Sequence, residues 1–146
     1  MRTLVTSVVC SALAAISLNV SSVAAQDAGS QLQLELNSAA VIEGGGCRLT
    51  YVATNQSDIP LSDTAYRVGV FDAGGVVSAI LVLPFGALPS GKTRLVLFDL
   101  AGQACTDISR IVVDSSDACL LEDGSASDFC MTGLATASRT DIQFGL

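Results

Sequence analysis

Short stretches of alternating apolar and polar residues run along this chain, with turn residues between them. Gln31-Leu32-Gln33-Leu34-Glu35-Leu36-Asn37 puts three leucines on one face and predicts a half-buried strand. Gly44-Gly45-Gly46 then breaks the chain; no GK[ST] or GxGxxG pattern surrounds it, so it reads as a connector rather than a phosphate cradle. Cys47 to Asn55 predicts a second strand, with Cys47, Leu49, Tyr51 and Ala53 on one side and Arg48, Thr50 and Thr54 on the other. Asn55-Gln56-Ser57-Asp58-Ile59-Pro60 is turn chemistry, and Asn55-Gln56-Ser57 also matches a glycosylation sequon.

A third strand follows from Thr64 to Phe71, a tight turn at Asp72-Ala73-Gly74-Gly75, and a return strand from Val76 to Leu83. Asp72 lacks the following carboxylates of a calcium loop. Pro84 ends the return strand, and Phe85 or Leu88 is expected to plug the core from the loop that follows. Thr93 to Leu100 is apolar on both sides, Leu95 and Leu97 one way and Val96 and Phe98 the other, which predicts a strand covered on both faces. Ile108 to Asp114 is a sixth strand. Ser115 to Thr132 reads as a loop with a helical turn near Ser127 to Met131, and Leu134 to Phe144 as a last strand. Short strands spaced by turns, with no long amphipathic helix, predict an all-β, immunoglobulin-like β-sandwich of about seven antiparallel strands with a disulfide-closed C-terminal loop.

The first residues follow a different pattern. Arg2 precedes an uncharged apolar stretch from about Leu4 to Leu18, and Val23-Ala24-Ala25 ends it in small residues. This is the layout of a secretory signal peptide spanning 1–25, cut between Ala25 and Gln26, with a single domain at 26–146. Polar interruptions and the lack of a following Lys/Arg cluster argue against an uncleaved anchor, so no stable membrane insertion is expected after cleavage. Cys10 lies inside the apolar stretch without a lipobox, and no twin-arginine pair is present. The expected location is periplasmic or secreted.

Export changes the meaning of the cysteines. Cys10 leaves with the leader, and Cys47, Cys105, Cys119 and Cys130 remain. Four cysteines in an exported domain predict two disulfides, with three possible pairings. Cys47 with Cys105 and Cys119 with Cys130 is the favoured set, because the second pair closes a local loop with little core of its own. There is no Cys-x-x-Cys pair and no histidine, which removes zinc and thioredoxin-like spacing and histidine-activated nucleophiles. No catalytic residue, cofactor or metal ligand is assigned.

The formal charge of −7 makes nucleic acid an unsuitable partner. The carboxylates are scattered, apart from Asp114 with Asp117 and Glu122 with Asp123. The expected function is therefore a non-catalytic binding or assembly module whose partner is another exported or envelope protein, with an exposed edge strand able to receive a partner's strand. The alternative is a carboxylate-based divalent-metal-binding protein or hydrolase acting through the acidic segment 114–128.

Three motifs carry a resemblance. Thr50-Tyr51-Val52-Ala53-Thr54-Asn55-Gln56-Ser57, Val68 through Val77, and Leu88-Pro89-Ser90-Gly91-Lys92-Thr93 resemble segments of bacterial immunoglobulin-like domains of the FxLYD and CARDB kind. The resemblance covers roughly residues 48–114 and departs at the four cysteines. It implies a β-sandwich used as a spacer or interaction module. The chain is also similar to small exported proteins of alphaproteobacteria through Phe85-Gly86-Ala87-Leu88-Pro89 and Phe98-Asp99-Leu100. That likeness implies a periplasmic home and no particular activity.

Overall fold

A computed structural model describes residues 31–146. The expected leader and its junction at Ala25–Gln26 fall outside the described residues. Eight strands form two four-stranded sheets: β1 (Leu32–Val41), β2 (Cys47–Asn55), β3 (Leu61–Asp72), β4 (Val77–Pro84), β5 (Thr93–Leu100), β6 (Ile108–Leu121), β7 (Leu134–Ser138) and β8 (Gln143–Gly145). One sheet has the order β5-β2-β1-β7, the other β4-β3-β6-β8. Among the described residues the one α-helical turn, α1, is Phe129–Thr132.

The alternation read from the sequence decides what is buried. Leu32, Leu34 and Leu36 of β1 and Cys47, Leu49, Tyr51 and Ala53 of β2 face Tyr66, Val68 and Val70 of β3 and Ile111 and Val113 of β6, all buried. Between them Tyr51 packs edge-on against Phe85, Phe98 and Phe144, with ring centroids 5.6, 5.9 and 5.2 Å away. Phe85 and Leu88 both plug the core from the loop after β4.

Asn55 anchors that loop. Its amide donates to the Ile59 and Leu88 carbonyls at 2.7 and 2.8 Å, and its oxygen accepts from the Ser57 amide and hydroxyl at 3.0 and 2.6 Å. The side chain is fully buried with its hydrogen-bonding capacity filled, so the sequon there is a fold device and not a glycan acceptor.

Three expectations are corrected. Ser115 to Leu121 is not loop: it continues β6, because its backbone pairs with β3 from Leu61 to Arg67 through several bulges. The last strand is two strands, β7 parallel to β1 and β8 parallel to β6, so the pairings are not all antiparallel. The chain between them crosses from sheet to sheet, held by Ser138 Oγ donating to the Ile142 carbonyl at 2.7 Å. Finally, β5 is not covered on both faces. It is an edge strand, and Leu95 and Leu97 are 66% and 54% exposed.

Candidate interaction surface

The four predicted cysteines pair as favoured, Cys47 with Cys105 and Cys119 with Cys130, at Cα separations of 4.8 and 5.9 Å. The first ties β2 to the 3-10 turn Cys105–Asp107; the second ties β6 to α1. Tyr66 reinforces the second by donating its buried hydroxyl to the Cys130 carbonyl at 2.8 Å. The acidic segment 114–128 is strand and turn. Asp114 faces Arg67 at 3.6 Å, and Asp123 accepts from the Ser125 amide and hydroxyl, which lowers its carboxyl below the usual range. Among the described residues, no three His, Cys, Asp or Glu side chains gather as a metal-ligand set.

The two lateral sides of the sandwich differ. On one, the edges are β7 and β8, short strands of five and three residues with no exposed large apolar side chain, joined by the crossing chain 139–142. A cleft of about 650 Å³ lies at this side, lined by Asn37 to Ala39 at the β1 bulge, Cys105, and Arg139 to Ile142. Arg139 there is committed to Glu35 at 2.7 Å, a bond that holds the Glu35 carboxyl below its ordinary value.

The other side is open. β4 pairs only with β3 and β5 only with β2 among the described residues, so each presents a row of free backbone groups. The two edges run alongside each other in opposite directions. Gln103, just after β5, donates to Ser78 at the start of β4 (2.7 Å), and Arg94 at the start of β5 donates to the Ala87 carbonyl just beyond β4 (3.2 Å). β4 carries no charged residue, and the only charges of β5 are Arg94 and Asp99 near its ends. Ile80 and Val82 stand out from β4 at 60% and 48% exposure. Ala79, Leu81, Val96 and Phe98 line the inner side of the gap, only partly buried.

From β4 the apolar surface continues onto the outer face of its sheet. Gly69 of β3 lies in register between Ile80 of β4 and Val112 of β6, and its missing side chain leaves a groove of about 190 Å³. Phe71, Val77 and Ile80 line one part, and Arg67 and Asp114 another. Arg110 covers the Phe71 ring, its guanidinium carbon 4.0 Å from the centroid.

Sequence reasoning named an exposed edge strand but not which one. The charge-free strand from Val77 to Pro84 was the available signal; the two apolar sides of β5 pointed the wrong way, toward burial.

No family model matches this chain, and no curated protein does either. Among solved structures it is similar to IrmA from Escherichia coli, with a TM-score of 0.59 and 8% identity over 73% of this chain and 91% of that one. At that identity the likeness shows the fold alone: a β-sandwich shared in architecture, with no family established by it.

Proposed function

We propose that this chain is an exported, non-catalytic binding or assembly module that engages another exported or envelope protein through its open side. The observation that carries this reading is the pair of unpaired edges, β4 and β5, with Ile80, Val82, Leu95 and Leu97 exposed on them. Edge strands in natural sheets are normally blunted by central charges, prolines or covering elements. Here the middle of both strands has none of these, whereas β7 and β8, the edge strands of the opposite side, are short and expose no large apolar residue. An extended partner segment can take up the free backbone groups of β4 and cover its apolar side chains.

The two disulfides support an oxidising home, periplasmic or secreted. Among the described residues no helix is long and apolar enough to cross a membrane. The resemblance to bacterial immunoglobulin-like spacer and interaction domains points the same way. Native co-purification of the wild type and of a Val82→Lys, Leu95→Lys double variant tests the reading. A defined protein partner should accompany the wild type and be lost from the double variant at unchanged secondary structure. Equal recovery with both proteins, or no partner with either, overturns it.

A further inference from the structure

Gly69 sits in the middle of β3, a central strand of twelve residues, where glycine weakens a sheet and a β-branched residue would strengthen it. Its backbone does not require glycine: it carries no positive φ, and a Cβ built there would meet Phe71 at an ordinary 3.5 Å. What the missing side chain supplies is the groove itself, of a volume that suits one large apolar side chain.

The ends of the groove carry charge. Along β3, Arg67 lies two residues to one side of Gly69, and Arg110 pairs with Phe71 two residues to the other. Arg67 faces Asp114 loosely, at 3.6 Å with both side chains more than half exposed. Arg110 makes no ion pair among the described residues. Arg67 and Asp114 thus line an apolar hole, with Arg110 over the Phe71 ring at its other end, on a protein of net charge −7. At physiological ionic strength charges beyond about 8 Å are largely screened, so the arginines at the groove outweigh the distant acidic surface.

We propose that the groove over Gly69 receives one large aliphatic or aromatic side chain from an extended, acidic segment of the protein partner, and that a carboxylate beside that side chain meets Arg110. This deepens the interaction-module reading and rests on it.

Three synthetic peptides test the inference against the oxidised full chain: a leucine flanked by glutamates, the same peptide with lysines for the glutamates, and the first with alanine for leucine. The glutamate–leucine peptide should bind, and the other two about tenfold more weakly or worse. Gly69→Val should fold with an undiminished melting temperature and lose binding by a similar factor. Arg110→Glu should turn the preference toward the lysine peptide. Equal binding of acidic and basic peptides, or wild-type affinity in Gly69→Val, overturns the proposal. If binding ignores peptide charge and Gly69 yet disappears in the Val82→Lys, Leu95→Lys variant, the module reading stands and this inference falls. If no peptide binds, the inference falls, and co-purification decides the module reading separately.

Discussion

Two tyrosines show how one buried hydroxyl stabilises this core and another does not. Tyr66 donates to the Cys130 carbonyl, whereas the Tyr51 hydroxyl is buried with no partner among the described residues. Tyr66→Phe should therefore cost about 1 kcal/mol, while Tyr51→Phe should be neutral or stabilising, as read from urea midpoints. Burial pushes the ionisation of both phenols above their usual value of 10.0. A raised folded-state value favours the neutral phenol, so this contribution is complete below about pH 10 and is lost as pH rises further. Unfolding midpoints measured from pH 8 to 11 should fall only above 10, and less steeply in Tyr51→Phe. Asn55 is the other residue whose role the sequence concealed. A sequon and a buried four-bond anchor are spelled with the same three residues, and only the packing of Leu88 and Ile59 around it separates them. Asn55→Ala removes the amide donor to both carbonyls and the acceptor of Ser57, leaving the Leu88 and Ile59 carbonyls only the Leu61 amide and the Ser57 hydroxyl at 3.2 and 3.4 Å, and should cost about 2–3 kcal/mol by the same measurement.

At the scale of elements, local pattern and long-range pairing decide different things. The leucines of β1 and the alternation of β2 were legible because each buries one face, and a one-residue slip would expose the whole set. Ser115-Ser116-Asp117 reads as loop by composition but becomes strand because β3 extends far enough to pair with it. The division of the last strand into β7 and β8 was illegible for a related reason. Both pairings are parallel and distant in sequence, and nothing local marks the crossing. Gly133 sits at the end of α1, where a Cβ would overlap the Phe129 ring. Gly133→Ala should cost about 1–3 kcal/mol and loosen the contact between α1 and β6, seen as faster amide exchange in both.

The whole molecule is a sandwich whose two lateral sides differ: short edge strands without exposed large apolar residues on one, longer edges with exposed aliphatic side chains on the other. The two disulfides sit differently in it: Cys119 and Cys130 are buried, while Cys105 lines the cleft and is partly exposed. Thiol labelling during mild reduction should find Cys47 and Cys105 modified before Cys119 and Cys130. Loop-closure entropy assigns on the order of 4 kcal/mol to the longer bridge, so its loss should also lower the melting temperature visibly. The sequence hid the open side because a doubly apolar edge strand and a fully buried strand share one pattern. A photo-crosslinking residue placed in the exported full chain, at position 80 or 95 on the open side and at 33 or 143 as controls, reports what that side engages. Positions 80 and 95 should capture the same protein partner and the controls should not. Equal capture at all four positions, or none at 80 and 95, would contradict the proposed engagement of that side.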